Sequence, residues 1–173
     1  MKKLLLLALF FVGCAVNAQV DKIHKHNGEV VDGKVIKLEE YTIIFKYDGE
    51  DAENTISKYA VEKVVYGKSG RVEEVTEKLI VNGEDDWEKV VILEDKGYIS
   101  GLKKAGEVRG KTGLINFQTG NTGDKKAQKK LKMDAAKLGC PFVLMTSDKT
   151  TVGANSNALG GSQAIKTGVA YKY

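Results

Sequence analysis

Residues 21–75 are divided into short strand-like runs by turn-forming residues, and this spacing restricts the first part of the chain to a small β-structure. Asn27-Gly28 is a turn signal because both residues tolerate positive φ. The run Val30–Leu38 follows, and Gly33 in its interior indicates a bend or a close backbone approach. In residues 41–47 the side chains alternate in a way that predicts a sheet with one well-buried face.

The other runs of this part are shorter. They lie at residues 21–26, 55–59, 61–66 and 71–75. A tight turn, a bent second strand and an aromatic-rich third strand together predict a small antiparallel β-barrel over residues 19–75.

The opening hairpin reads Lys25-His26-Asn27-Gly28-Glu29-Val30-Val31-Asp32-Gly33-Lys34-Val35. It resembles that of small exported bacterial β-modules, which form SH3-like or Sm-like barrels. Sm proteins bind RNA, but the loop motifs with which they contact RNA are not in this sequence. The net charge is only +4, and charges of both signs are interspersed, which argues against a polyanion-binding face. We therefore expect no nucleic-acid partner.

Residues 76–86 are a predicted connector. They contain Asn82-Gly83 and the acidic run Glu84-Asp85-Asp86, which is typical of a solvated surface. Calcium binding is a more specific alternative function for these carboxylates, but the ligand spacing of an EF-hand loop is absent.

Residues 87–173 differ in character and contain the one convincing helix pattern. Four apolar residues follow one another at spacings of four, four and three, as on one helix face: Ala127, Leu131, Ala135 and Leu138. This pattern predicts a helix over residues 124–138. Asp124 is the expected N-cap and Gly139 the expected stop, and residues 120–123 are a predicted loop.

Strands are predicted on both sides of this helix. Their expected positions are residues 87–93, 98–102, 106–111, 114–117, 142–145 and 164–173. The polar stretch 148–163 is rich in Thr, Gly, Asn and Ser, which is typical of a mobile loop. Residues 87–173 are thus a predicted α+β module with one amphipathic helix packed on a sheet.

This second module also carries a resemblance. Gly106-Glu107-Val108-Arg109-Gly110 precedes the helix, Ala135-Ala136-Lys137-Leu138-Gly139 closes it, and Phe142-Val143-Leu144 follows. The pattern resembles small bacterial α+β modules of two groups: a heavy-metal-binding family and the periplasmic domain of Rcs-type envelope stress sensors. Those modules have Ala-Asn-Ala after the helix glycine, where this chain has Cys140-Pro141-Phe142. The resemblance therefore implies a fold more than a role.

The N-terminus has the parts of a signal peptide. Lys2 and Lys3 precede the uncharged apolar run 4–12, and small residues follow. We predict a signal peptide over residues 1–18, cut between Ala18 and Gln19, and hence a periplasmic or secreted protein. Since the two lysines leave and no acidic residue does, the net charge falls from +4 to +2.

Phe11-Val12-Gly13-Cys14 resembles a lipobox, so lipidation at Cys14 is the alternative. A lipidated chain would be held at a membrane surface by its acyl chains. If Cys14 leaves with the signal peptide, Cys140 is the only cysteine left, and no internal disulfide is possible.

Few residues are candidates for chemistry. His24 and His26 lie at i and i+2, so on one strand they would share a face and could share a metal. A zinc site needs three or four ligands, and no partner is visible, so we interpret both as exposed strand histidines. Cys140 follows a helix C-terminus, where the helix dipole disfavours a thiolate, and we interpret it as a core residue.

Two further segments need a choice of interpretation. Residues 125–132 carry five lysines, which we read as a solvated outward face. Attraction to anionic lipid headgroups or to an anionic envelope polymer is the alternative. The glycine-rich residues 153–161 lack the Gly-Lys-Ser/Thr ending of a phosphate-binding loop.

The sequence predicts a non-enzymatic binding or interaction protein of the bacterial envelope, because it contains no paired carboxylates, triad or metalloprotease spacing. We expect no cofactor, and an envelope protein or a glycan as partner, bound through residues 155–161 of the polar loop. The alternatives are a metal-binding protein using His24 and His26 and a thiol enzyme using Cys140.

Overall fold

The computed structural model describes residues 20–113, 120–152 and 162–173. These residues form ten strands in two sheets, one α-helix and three short 3₁₀ helices. All strand pairs but one are antiparallel. The predicted α+β class is therefore confirmed.

The first sheet contains six strands in the order β4-β3-β2-β1-β5-β6. They are β1 (Asp21–Lys25), β2 (Val30–Leu38), β3 (Thr42–Tyr47), β4 (Asn54–Ser57), β5 (Val61–Val65) and β6 (Val72–Glu74). A 3₁₀ helix, Lys58–Ala60, joins β4 to β5. The predicted runs are confirmed to within a few residues at each end.

The closed barrel predicted for residues 19–75 is not confirmed, because this sheet is open. β4 and β6 are its two edges, and they do not pair with each other. Backbone groups at the β4 edge form hydrogen bonds with the second part of the chain instead. The Ser57 amide donates to the Ser100 carbonyl (3.0 Å), and the Ser100 hydroxyl donates to the Thr55 carbonyl (2.7 Å). An edge whose polar groups are bonded in this way need not close on itself.

Two glycine predictions in this sheet are confirmed. Gly28 has φ 88°, and the Glu29 amide donates to Asn27 Oδ1 (3.0 Å), which closes the β1–β2 turn. A Cβ on Gly33 would lie 2.3 Å from the Lys46 carbonyl oxygen, so β2 and β3 approach closely at that point.

The inward face of the first sheet is apolar and forms its own core. The residues buried there are Ile23, Ile43, Phe45, Ile56, Ala60, Val61 and Val64.

The second sheet has the order β7-β9-β10-β8, and β7 and β9 are its parallel pair. Its strands are β7 (Val91–Leu93), β8 (Lys103–Lys111), β9 (Phe142–Val152) and β10 (Ser162–Lys172). The strand predicted over residues 87–93 is confirmed only at β7, because a 3₁₀ helix occupies Glu84–Lys89. The strand predicted over residues 98–102 is wrong, because a second 3₁₀ helix occupies Lys96–Ile99. Side-chain carboxylates support both turns: Asp86 accepts from the Asn82 amide (2.9 Å), and Asp95 accepts from the Gly97 amide (2.6 Å).

The loop predicted for residues 148–163 is also wrong at both of its ends. β9 runs on to Val152, and β10 begins at Ser162. Asp148 stands opposite Lys166 in the β9–β10 register, and their side chains pair at 2.5 Å. A cross-strand ion pair of this kind favours the strand over the loop that the local composition indicates.

The helix α1 (Gly120–Lys137) begins earlier than predicted, so residues 120–123 are helical and Asp124 is not its N-cap. The Asp124 carboxylate instead faces β10, where it pairs with Lys166 Nζ at 2.8 Å. Leu138 lies past the last helical residue and is 50 % exposed, so its predicted place in the core is wrong. Gly139, with φ 64°, ends the helix as expected.

α1 packs on one face of the second sheet. Ala127, Leu131 and Ala135 are fully buried in this contact, as the periodicity predicts. A Cβ on Gly110 would lie 1.8 Å from the Ala127 carbonyl oxygen. The helix backbone can therefore approach β8 only because residue 110 has no side chain.

The opposite face of the second sheet packs against the first module. Leu93, Phe142 and Leu144 form this third core, with aromatic and aliphatic side chains from both parts around them. The predicted connector, residues 76–86, is packed as well, and Val81 is buried under the helix. The two modules are thus in direct contact.

Several predictions fall outside the described residues. These are the signal peptide over residues 1–18, the cleavage site at Ala18 and Gln19, lipidation at Cys14, the strand at 114–117 and the loop site at 155–161. Within the described ranges, no helix has the length and apolar character needed to cross a membrane.

Candidate functional site

The two histidines lie in different environments. β1 ends at Lys25, so His24 is a strand residue and His26 is not. His24 stays on the strand and is partly exposed, whereas His26 enters the turn and is only 8 % exposed. The interpretation of both as exposed strand histidines therefore does not hold for His26.

His26 is bonded at the junction of the two modules. Its Nε2 lies 3.0 Å from the Thr76 hydroxyl, which donates to a backbone carbonyl, that of Val61 at 2.8 Å. Since a carbonyl can only accept, the Thr76 oxygen is left to accept from His26, and Nε2 carries the proton. The Tyr173 ring meets the imidazole edge-on, with centroids 4.8 Å apart.

Burial lowers the pKa of His26 below its ordinary value. Glu62 acts in the opposite direction, and Lys78, whose Nζ donates to the His26 carbonyl (3.0 Å), lowers the pKa further. A neutral, hydrogen-bonded imidazole at a packed junction is a structural group. Among the described residues, no three His, Cys, Asp or Glu side chains are grouped closely enough to hold a metal ion.

Cys140 lies in the core beneath α1. It is fully buried, and its Sγ is 3.5 Å from the Leu138 carbonyl oxygen. Burial raises the pKa of the Cys140 thiol, which disfavours the thiolate that a nucleophile needs. This environment fits the core residue predicted from sequence.

Lys166 is a buried charged residue that the sequence analysis did not identify. Only 3 % of it is exposed, and its Nζ bridges Asp124 (2.8 Å) and Asp148 (2.5 Å). Burial alone would lower the pKa of Lys166, but the two hydrogen-bonded carboxylates raise it overall. The sequence signal was present: Lys166 shares a strand face with the small residues Ala164 and Gly168.

Next to Lys166, a second polar group is buried at the same end of the sheet. Thr112 Oγ1 accepts from the Ala164 amide (2.9 Å), and Gln163 Nε2 donates to the Thr112 carbonyl (3.1 Å). These bonds fix the end of β8 to β10. They are internal contacts and leave no charged group turned toward a ligand.

A cleft of about 500 Å³ lies where the two modules meet, and we call it the tyrosine cleft. It is lined by Tyr41, Tyr59, Ile92, Leu93, Glu94, Asp95 and Tyr98. Tyr41 and Tyr59 come from the first module, and the rest come from β7 and the turn after it. Clefts between modules are preferred positions for ligand sites.

The tyrosine rings are held in place by the fold. The Tyr41 and Tyr98 rings lie against each other with centroids 4.7 Å apart, and the Tyr59 ring packs against Phe142 at 5.3 Å. The Tyr41 carbonyl accepts from the Lys58 amide (2.9 Å), which fixes the start of β3. These contacts hold the three tyrosine side chains of the cleft in fixed positions.

The polar groups of the cleft are acidic. Glu94 and Asp95 are exposed at its rim, and Asp95 is oriented by its bond with the Gly97 amide. A hydrogen bond to Glu40 raises the pKa of the Tyr41 hydroxyl, whose proton is donated to that carboxylate. The cleft thus combines tyrosine side chains with carboxylate acceptors.

Sequence reasoning did not identify this cleft. The three tyrosines are distant from one another in the chain, and only the packing of the two modules brings them together. In comparisons with known proteins, no family model matches this chain and no curated protein matches it.

Proposed function

We propose that this chain is an exported, non-enzymatic binding protein of the bacterial envelope, and that the tyrosine cleft is its ligand site. The observation that carries the proposal is the preformed group of Tyr41, Tyr59 and Tyr98 beside two exposed carboxylates. The signal-peptide pattern of residues 1–18 supports the location, with a lipoprotein anchored at Cys14 as the alternative.

The ligand class that suits this cleft best is a glycan. Sugar rings have C–H faces that pack on aromatic rings, and hydroxyl groups that donate to carboxylates such as Glu94 and Asp95. Tyr and other aromatic side chains provide a large contact area with little loss of conformational freedom. Because recognition of this kind needs no reacting group, the proposal includes no chemical step.

The proposal is tested by calorimetry of the purified chain with soluble oligosaccharide fragments of host peptidoglycan. Tyr98→Ala removes one ring of the Tyr41–Tyr98 pair, and we expect it to weaken binding by about tenfold or more. Tyr47→Ala is the matched control, because Tyr47 is exposed and lies outside the cleft. Equal losses in both variants, or no heat with the unmodified chain, would contradict the proposal.

A cationic ligand is the second candidate, and the acidic rim favours it. Three tyrosines beside Glu94 and Asp95 resemble the aromatic cages that bind quaternary ammonium groups. Choline, titrated in the same calorimeter, distinguishes the two classes. Saturable heat with choline and none with the oligosaccharides would favour the cation.

Metal binding at His24 and His26 is a weaker alternative. It would require His26 to leave the Thr76 hydroxyl and a buried position at the module junction. Titration with zinc, copper and nickel tests it, and heat that disappears in His26→Gln would support it.

The proposed relation of the first module to small exported bacterial β-modules is supported by the Asn27-Gly28 turn and by the close approach of β2 to β3 at Gly33. The proposed relation of the second module to the heavy-metal-binding and Rcs-type α+β modules is supported by Gly110, against which the helix backbone packs.

A further inference from the structure

The outward side of α1 has a cluster of basic residues beside the one tryptophan of the chain. We call this surface the lysine face and define it as Lys125, Lys126, Lys129, Lys132 and Trp87. These side chains line an open groove of about 420 Å³ together with Thr122 and Gln128. Lys129 Nζ lies 4.5 Å from the centroid of the Trp87 ring, which is partly exposed.

The four lysines of this face are unpaired within the described residues. Lys125, Lys126, Lys129 and Lys132 form no ion pair with any residue in the described part of the chain. The other helix lysines differ, since Lys130 donates to the Lys111 carbonyl (3.0 Å) and Lys137 pairs with Glu84 (3.2 Å).

The acidic residues of α1 are occupied elsewhere. Asp124 pairs with the buried Lys166 at 2.8 Å, and Asp134 accepts from the Arg109 amide at 3.1 Å. In a chain whose net charge is only +4, four unpaired lysines on one helix surface make a local positive patch, with the exposed carboxylates of Asp85 and Glu88 beside it in the 3₁₀ helix of Trp87.

The arrangement of these lysines is extended. Lys125 and Lys132 are separated by about 10 Å along the helix axis, so the four lysines are spread over about two helical turns. A single phosphate would require converging donors, whereas lysines spread in this way match an anionic surface with many headgroups. Trp87 adds the side chain that is enriched at membrane–water interfaces.

We propose that the lysine face docks on the surface of a membrane that contains anionic lipids. The lysines contact the headgroups, and the Trp87 indole lies at the boundary of the headgroup layer. This contact is independent of the tyrosine cleft, whose lining residues it does not share.

The test uses the purified chain and two kinds of vesicle, one of phosphatidylcholine alone and one that also contains phosphatidylglycerol. Because the chain has a single tryptophan, its fluorescence reports on the lysine face directly. We expect co-sedimentation and a blue shift of the emission with the phosphatidylglycerol vesicles. Both signals should decline as salt is added, since the attraction is screened.

The decisive variant replaces the four lysines with glutamine: Lys125→Gln, Lys126→Gln, Lys129→Gln and Lys132→Gln. Each lysine near an anionic surface contributes about fivefold to the affinity, so the variant should bind about 600-fold more weakly. The matched control removes four exposed lysines elsewhere and has the same net charge: Lys34→Gln, Lys37→Gln, Lys68→Gln and Lys96→Gln. Circular dichroism verifies that both variants fold.

Three results would overturn the proposal. One is equal binding to both kinds of vesicle, which would indicate an acyl anchor or a non-electrostatic contact. Another is an equal loss in the lysine-face variant and the control. The third is binding to a soluble polyanion such as dextran sulfate with no Trp87 response to vesicles, which would assign the face to an anionic polymer.

Discussion

His26 illustrates how the position of one residue relative to the end of a strand can decide its role. His24 lies on β1, whereas His26 follows the end of the strand, and its side chain lies at the module junction. There it contacts Thr76 and Tyr173, and its carbonyl accepts from Lys78. Because the ring is held neutral in the fold, it couples the packing of the junction to pH.

The stability of the protein should therefore decline in mild acid. Since the pKa of His26 is lowered by folding, the unfolded chain binds a proton near pH 6.5 that the folded chain does not bind. The contribution of neutral His26 to the free energy of unfolding is complete above about pH 6.5. It is lost as the pH falls toward the pKa that His26 has in the folded protein. Urea unfolding at a series of pH values measures this slope.

His26→Gln should flatten that slope, because glutamine keeps a donor for Thr76 but does not titrate. At neutral pH it should cost about 1 kcal/mol through the lost contact with the Tyr173 ring. His24→Gln is the control and should keep the slope of the unmodified chain. A slope that survives in His26→Gln would assign the pH dependence to another group.

At the scale of elements, β8 and α1 depend on each other. The outer edge of β8 is partly capped by helix side chains, since the Arg109 amide donates to Asp134 (3.1 Å) and the Lys111 carbonyl accepts from Lys130 (3.0 Å). Capping the polar groups of an edge strand protects it against pairing with another chain. This geometry requires the helix to lie close to the strand, which Gly110 permits.

Gly110→Ala should be strongly destabilising. The new Cβ would meet the Ala127 carbonyl oxygen and the Leu131 amide nitrogen, both backbone atoms, so α1 would have to move as a unit. We expect a loss of about 3 kcal/mol, at the upper end for overpacked sites, measured as a lower urea midpoint.

Gly106→Ala is the matched control on the same strand. Its Cβ would lie 3.6 Å from a Leu138 side-chain atom, an ordinary contact, and the change should be within about 0.5 kcal/mol. Equal effects of the two substitutions would mean that α1 does not depend on the missing side chain at residue 110.

At the scale of the whole molecule, the two modules share a core. Phe142 and Tyr173 of the second module pack with Tyr59 and His26 of the first, and the β4 edge bonds to Ser100. The Tyr173 hydroxyl accepts from the Leu79 amide (2.9 Å), which anchors the segment between the modules. We expect the two modules to unfold as one cooperative unit.

Tyr173→Phe tests this coupling, because it keeps both ring contacts and leaves the Leu79 amide without its acceptor. The expected loss is about 1–3 kcal/mol. If the modules unfold together, the substitution should lower the urea midpoint seen by Trp87 fluorescence in the second module. It should also speed hydrogen exchange of the β1 and β5 amides in the first module. Tyr171→Phe, whose hydroxyl forms no hydrogen bond to the described residues, is the control. A shift in the second module alone would show independent unfolding.

Much of the fold could be predicted from sequence because it depends on local chemistry. The Asn27-Gly28 turn, the strand Val30–Leu38 and the buried helix face of Ala127, Leu131 and Ala135 follow from φ preferences and periodicity. The errors occurred where a tertiary contact outweighs local preference. Lys166, for example, extends the hairpin through Asp148 where composition indicates a loop.

The sequence by itself determined the α+β class, most of the strands and the burial of Cys140, because turn residues and side-chain alternation act over a few positions. Only the tertiary structure decided that the first sheet stays open, that His26 is buried and that three distant tyrosines form one cleft. These features arise from the packing of two modules, and no short stretch of sequence encodes which surfaces will meet.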